Sequence, residues 1–429
     1  MDQDTIFAVA SGGGRAAIAV MRISGPDSRR VLAGLCRSVP PPRHAALRRL
    51  RDAAGAELDR AVVLWLPGPG SYSGEDSAEL HLHGGRAVVD GVAEALVALG
   101  ARPAQPGEFT RRAFLNGRMD LLEAEAVGDL VAAETAAQRR QALRQLEGAL
   151  GAVYRSWADR LLKLMAQQEA LIDFPDEDLP PEVEAAVVAE IATLRSEMAA
   201  HLADRRRGER LREGLVFAVT GPPNVGKSAL VNALAERDVA IVSATPGTTR
   251  DALETRVVLG GVPVTLVDTA GLRDTRDEIE AEGVRRALAR AAEADLVIAV
   301  AEVGGGGQPR PDDNTVYVAN KIDLGGAVPA GATGVSALTG AGLDGLRDRL
   351  AGQARALTES AGPPPLTRAR HRAALQEASA RLVDAQRAEL PELRAEDLRL
   401  ALQALGRITG EVGVEDILGA LFAQFCIGK

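Results

Sequence analysis

The chain has 429 residues, 46% of them hydrophobic, enough for two or three cores at the usual size of about 100–200 residues per domain. No uninterrupted apolar stretch approaches the roughly 20 residues of a membrane helix, and MDQDTIFAVA lacks the basic and long apolar segments of a signal peptide, so a cytoplasmic protein with no membrane segment is expected. A formal net charge of -9 gives no general attraction to nucleic acid, and two cysteines, Cys36 and Cys426, are too few and too far apart for a disulfide framework or a zinc site.

Residues 1–118 read as a small α/β domain. Short β-rich runs, AAIAVMRIS and AVVLWLPG, and a strand at SAELHLHGG stand between Gly/Pro punctuation, and AVVDGVAEALVALG has helical spacing. From Met119 to about Arg212 the chain is rich in Ala, Leu, Glu, Arg and Gln with apolar spacings of three and four, which predicts several long helices interrupted at FPDEDLPPE. From GLVFAVTG to about residue 355 strand and helix patterns alternate, as in a parallel-sheet α/β domain. AGPPPLTRAR reads as a linker, and helical periodicity resumes from Arg368 to Ala423 with a break at LPEL and a last helix in GEVGVEDILGALFAQF. The expected fold class is multidomain, α/β plus all-α. Residues 119–212 and 356–429 form one helical domain, with the α/β domain of 213–355 inserted between them; two separate bundles are the alternative. The basic clusters at Arg48, Arg49 and Arg51, at Arg111 and Arg112, at Arg139 and Arg140, and at Arg205–Arg207 read as solvated faces or local RNA contacts.

Chemistry enters after the strand LVFAVTG, where Gly221-Pro-Pro-Asn-Val-Gly-Lys-Ser228 opens a helix. A loop of this kind wraps phosphates with backbone N–H groups, and here Asn224, Val225, Gly226, Lys227, Ser228 and Ala229 are its candidate contacts. Lys227 reaches the β- and γ-phosphates and Ser228 ligates Mg²⁺. The stretch Ser243-Ala244-Thr245-Pro246-Gly247-Thr248-Thr249 supplies Thr249 as a γ-phosphate and Mg²⁺ sensor, and Asp268, Thr269, Ala270 and Gly271 follow a strand, Asp268 holding the metal through water. In Asn320-Lys321-Ile322-Asp323, Asp323 accepts two hydrogen bonds from a guanine edge that adenine cannot donate, and Ser336 and Ala337 fit the companion base loop, so the nucleotide is GTP. Leu272 stands where Ras-like enzymes place a water-positioning Gln, and no Arg is evidently placed as a finger. The Asn224 side-chain carbonyl, with oxygens near Ser243 and Thr245, offers a monovalent cation in the finger's stead.

DTIFAVAS, RISG, PGPGSYSGED, ELHLHGG, RPAQPGEFTRRAFLNGRMDLLEAEAVGDL, IDFPDED, the nucleotide motifs and the terminal FCIGK occur in the order that resembles the MnmE (TrmE) family of tRNA-modification GTPases, across essentially the whole chain. The resemblance implies an N-terminal folate-binding and dimerising domain, a helical domain from both sides of the insert, and a Ras-like GTPase domain. It further implies K⁺ held by Asn224, Ser243, Thr245 and Thr248, and Glu280 as the residue that orients attacking water. A one-carbon tetrahydrofolate, 5,10-methylene or 5-formyl, would bind at Arg22, Glu79, Arg118 and Lys429. Arg118 stands where the family usually has Lys, a departure that keeps the charge and changes its geometry. The partners implied are a second copy of the chain, the FAD-containing MnmG (GidA) in a heterotetramer or larger complex, and tRNA. The flavin belongs to the partner, since this chain has no G-x-G-x-x-G following a strand.

FCIGK does not fit a prenylation signal, which ends in other residues. Under the resemblance Cys426 moves from a helix-end thiol to a candidate at the modification site, with Gly428 permitting the turn. His81 and His83 alternate on the strand that carries Glu79 and suit a ligand pocket better than a metal pair. The Gly/Pro-rich EVGGGGQPRPDDNTVYVA and the short stretch from Asp323 to Ser336 depart from the family, predicting a truncated helix and a reshaped base pocket. The competing reading is a ribosome-assembly GTPase of the Era or Der type, which requires a basic RNA-binding appendage.

Overall fold

The computed structural model describes residues 4–12, 14–173, 181–237, 254–268, 292–305, 314–359, 363–412, 415–423, 425 and 428. Among them no helix is long and apolar enough to cross a membrane. Contacts divide the chain into two units, one of residues 1–128, 146–158 and 402–429, the other of 129–145 and 159–401.

The first unit is built on a six-stranded sheet. In chain order it contains β1 (Ile6–Val9), β2 (Ile18–Ser24), α1 (Ser28–Cys36), β3 (Ala46–Arg51), β4 (Glu57–Leu66), β5 (Ser77–His83), α2 (Arg86–Ala98), β6 (Arg102–Pro103) and α3 (Glu108–Leu115). The strand order is β3-β4-β5-β2-β1-β6, antiparallel except where β6 runs parallel to β1. Alternation sends Met21, Ile23, Val63, Leu80 and Leu82 into a core with Val31, Leu32 and Leu35 of α1 and Val92 and Leu96 of α2. Arg22 and Glu79, at the intervening positions, lie on the opposite face. The thiol of Cys36 is part of this core; burial pushes its pKa up, and it donates to the Leu32 carbonyl at 2.9 Å.

The predicted helices after residue 119 resolve as α4 (Leu121–Ala132), α5 (Ala136–Leu146), α6 (Ala149–Asp173), α7 (Pro181–Leu202) and α8 (Arg207–Glu213). The inserted region follows with β7 (Leu215–Thr220), α9 (Lys227–Arg237), β8 (Glu254–Leu259), β9 (Val262–Asp268), β10 (Leu296–Glu302), β11 (Thr315–Asn320), β12 (Thr333–Gly334) and α10 (Leu343–Thr358). Its sheet has the order β12-β11-β10-β7-β9-β8, parallel throughout except β8 against β9. In LVIAVAE burial alternates, and the buried face of the sheet shares one core with Leu230, Val231 and Leu234 of α9 and Leu343, Leu346 and Leu350 of α10.

After the insert come α11 (Ala369–Arg387), α12 (Pro391–Thr409) and α13 (Glu415–Phe422), so the predicted break at LPEL separates two helices and the last helix ends before Phe425. Segments on either side of the insert pack together: α11 lies on α7, and Arg372 pairs with Asp204 at 2.6 Å and Glu209 at 2.7 Å. Thr367 donates to Gln145 at 2.8 Å and Arg368 pairs with Asp129 at 2.7 Å. Within the second unit, parts of the helical segments before and after the insert thus meet. The Gly/Pro-rich tract expected to shorten a helix falls in part, at 306–313, outside the described residues.

Candidate functional site

β7 delivers the chain to Gly221, where φ is +143° and an added Cβ would stand 2.1 Å from the Val300 carbonyl oxygen. Only glycine lets the loop leave the sheet against β10. The loop passes through Asn224 in the left-handed region at φ +64°, its side chain exposed, then Gly226 at φ +90°, and enters α9 at Lys227. The buried Lys227 donates from Nζ to the carbonyls of Gly221 at 2.9 Å and Pro222 at 2.8 Å. An ammonium held across its own loop, beside a helix N-terminus whose first N–H groups have no intrahelical acceptor, suits a polyphosphate. Ser228 donates a short hydrogen bond from Oγ to Oδ2 of Asp268, the last residue of β9. A hydroxyl and a carboxylate converging at the phosphate loop are hard oxygen donors of the kind Mg²⁺ takes, so these residues fit that ion.

Asn320, 1% exposed at the end of β11, joins the two halves of the nucleotide site. Its Nδ2 donates to the Val225 carbonyl at 2.8 Å and its Oδ1 accepts from the Ala337 N–H at 3.0 Å, so one side chain fixes the phosphate loop against the base loop. Lys321 follows at φ +67° and pairs with Glu302 at 3.1 Å; Asp323 is exposed in the 3₁₀ turn Ile322–Leu324. Ser336 is buried, with its Oγ accepting from the Thr339 N–H at 3.2 Å. The structure therefore brings Val225, Gly226, Lys227, Ser228, Asp268, Asn320 and Ala337 together around the C-terminal ends of β7, β9 and β11. Ala229 lies in the first turn of α9. Ser243, Ala244, Thr245, Pro246, Gly247, Thr248, Thr249, Thr269, Ala270, Gly271 and Glu280 lie outside the described residues, as do Cys426 and Lys429.

A second site lies in the N-terminal unit. Antiparallel pairing sets Arg22 of β2 directly opposite Glu79 of β5, and Oε1 of Glu79 accepts from Nε of Arg22 at 3.1 Å and from Nη2 at 3.0 Å. The guanidinium lies 5.0 Å from the centroid of Tyr72 and 5.8 Å from that of Phe109, so it is held by both charge and ring faces. Tyr72, Ser73, Ser77 and Phe109 line a small pocket with these two residues. Burial pushes the Tyr72 phenol up, opposed by its hydrogen bond with Thr110.

Behind the pocket runs a polar network. Ser24 and Ser73 hydroxyls meet at 2.6 Å, and Ser24 also lies 2.8 Å from Glu75, which pairs with the buried Arg112 at 3.2 Å. Arg112 and Arg102 both reach Glu108. Burial raises the Glu108 pKa, but hydrogen bonds from Arg102, the Gln105 N–H and Arg112 outweigh it and hold the group down to about 2.

Arg22, Glu79 and Arg118 follow from the family motifs, whereas nothing in the sequence singles out Tyr72, Ser73, Ser77 and Phe109, which the fold brings to the same pocket. The loop PGPGSYSGED folds back over its own sheet, and that return has no periodic signal. A Cβ at Gly74 would stand 3.0 Å from Cγ of Arg118, so that side chain packs beside the Ser73 wall. Gly428, at φ +100°, lies against the end of β1, where a Cβ would be 2.3 Å from the Val9 carbonyl; the neighbouring Ala8 pairs with Arg22. His83 is engaged through Nδ1 by Asp59 at 2.7 Å, while Nε2 of His81 lies 3.7 Å from Oε2 of Glu79. Among the described residues no group of three or more His, Cys, Asp or Glu is placed to hold a metal.

Residues 121–426 match the family model of the MnmE helical domain, and residues 5–118 match that of the GTP-binding protein TrmE N-terminus. A tRNA modification GTPase MnmE from Gluconacetobacter diazotrophicus is 62% identical over 437 positions, spanning 100% of this chain and 99% of its own. Proteins of the same name from Granulibacter bethesdensis and Parvibaculum lavamentivorans are 56% and 53% identical, spanning 100% and 99% of this chain and 100% of their own lengths. The solved structure of Aquifex aeolicus Era bound to GDP and AlF4⁻ shares 25% identity over 41% of this chain and 69% of its own, at a TM-score of 0.25. With one family model covering most of the chain and relatives above half identity from end to end, the chain belongs to the MnmE (TrmE) family.

Proposed function

We propose that this protein hydrolyses GTP and couples the hydrolysis to modification of C5 of the tRNA wobble uridine, adding an aminomethyl or carboxymethylaminomethyl group. The observation that carries the GTPase half is the convergence of Lys227, Ser228 and Asp268 at one strand-end loop with Asn320 bridging it to Ala337. The relatives' name supplies the tRNA half. Ser228 and Thr249 would hold Mg²⁺, which would supply positive charge to neutralise the phosphates. Asn224, Ser243, Thr245 and Thr248 would hold K⁺ in place of an arginine finger, with Glu280 orienting water. Arg22, Glu79, Arg118 and Lys429 would bind the tetrahydrofolate that supplies the one-carbon unit. The Arg22–Glu79 pair supports this, because a pterin needs an accepting carboxylate and the folate tail needs cations. Cys426 would serve at the modification site, FAD would reside on the partner MnmG, and the protein would act as a cytoplasmic homodimer.

The cation assignment is tested by GTP turnover in K⁺ and in Na⁺. A finger equivalent is worth about 10³–10⁵ in rate, so turnover in K⁺ exceeds that in Na⁺ by at least roughly tenfold, even if the ion recovers a fraction of that effect. Asn224→Gly, which suits φ +64° and removes the side-chain amide with its carbonyl, lowers the K⁺ rate to the Na⁺ level. Equal rates in the two salts, or an unchanged Asn224→Gly variant, contradict the assignment.

A further inference from the structure

The two carboxylate oxygens of Glu79 have unlike surroundings. Oε1 accepts two hydrogen bonds from Arg22, at 3.1 and 3.0 Å, whereas Oε2 lies 3.7 Å from Nε2 of His81, outside hydrogen-bond reach. That ring nitrogen is buried, and among the described residues it has no hydrogen-bond partner. Its surroundings leave it few options. Register places His81 between Val20 of β2 and Val62 of β4, so the strands on both sides present hydrocarbon. Two residues along its own strand, His83 is already held by Asp59. Two residues the other way stands Glu79. A buried ring nitrogen without a partner is costly, and native structures keep such groups where a ligand or a rearrangement completes them.

We propose that His81 is a positioning residue for Glu79, its Nε2–H closing onto Oε2 when a heterocycle with an aminopyrimidinone edge, the reading face of a pterin, enters the pocket. The inference rests on the folate reading above and adds to it a residue and a role. Closing from 3.7 Å to about 2.9 Å asks for under an ångström of side-chain movement. With Arg22 on Oε1 and His81 on one lone pair of Oε2, the carboxylate can no longer rotate about its terminal torsion. One lone pair of Oε2 remains, and it receives the ligand N–H in a pocket walled by Tyr72, Ser73 and Ser77. His81 touches Glu79 and not the reacting carbon, so it governs affinity and orientation.

The test is calorimetric titration of 5-formyltetrahydrofolate into the full-length protein, comparing wild type with His81→Ala and His81→Gln, each checked for an unchanged melting temperature. His81→Ala weakens binding about tenfold, the worth of one hydrogen bond to a charged group. His81→Gln, whose amide N–H reaches the position of Nε2, returns affinity to within about threefold of wild type. Wild-type affinity in His81→Ala overturns the proposal, and so does equal weakening in both variants, which would assign the effect to ring packing. Absence of binding by the wild-type protein overturns the folate reading and this inference with it.

Discussion

Lys227→Ala leaves a folded protein whose GTP turnover falls by roughly 10²–10³-fold, the loss seen when one preorganised donor to a transition-state oxyanion is removed. The reason lies in what holds the ammonium. Lys227 is 6% exposed and donates to the Gly221 and Pro222 carbonyls, so its charge is already desolvated and aimed along the loop that phosphates would fill. A charge placed beforehand costs no reorganisation when negative charge develops, which is why the loss appears chiefly in kcat. The fold survives because the sheet core, from Phe217 to Ile298 and Val318, does not involve this side chain. Single-turnover GTP hydrolysis beside a thermal melt checks the result. A rate within threefold of wild type would remove Lys227 from the mechanism.

The second large effect is expected at Asn320. Replacing it by Ala strands the Val225 carbonyl in a buried setting, at about 1–3 kcal/mol, frees the part-buried Ala337 N–H, and uncouples the phosphate loop from the loop that carries Ala337. GTP and GDP affinity both fall, by about 10–100-fold, since the lost contacts organise the site before the nucleotide's γ-phosphate matters. Gly226 shows how tight this junction is: a Cβ there would stand 2.5 Å from Nδ2 of Asn320. Titration with a fluorescent GDP analogue checks the prediction, and unchanged affinity in Asn320→Ala would contradict the bridging role.

The inserted domain was the most legible part of the sequence because its chemistry sits at the ends of long apolar strands. LVFAVTG, VPVTLVD and TVYVAN each end where a motif begins, and the parallel sheet sets those ends side by side. In the N-terminal unit β2, β4, β5 and α2 were evident from alternation or helical spacing, while β1, β3 and α1 were not. β1 is only four residues long, ALRRLR of β3 is half charged and buries fully only Leu50, and SRRVLAGLC of α1 is short with Gly34 inside it. Arg22 and Glu79 were named through family resemblance, and their pairing follows from register, which depends on which strands meet. The bridge made by Asn320 was invisible for the same reason: its partners lie 95 and 17 residues away, and no local pattern encodes such a contact.

The proposed role of GTP hydrolysis at this site is to drive modification of the tRNA wobble uridine. Mass spectrometry of wobble nucleosides from a strain lacking the gene tests it most directly. The predicted result is loss of the C5 aminomethyl-type group in the deletion strain, its restoration by the wild-type chain, and no restoration by Lys227→Ala. Unchanged wobble uridine modification in the deletion strain would contradict the claim.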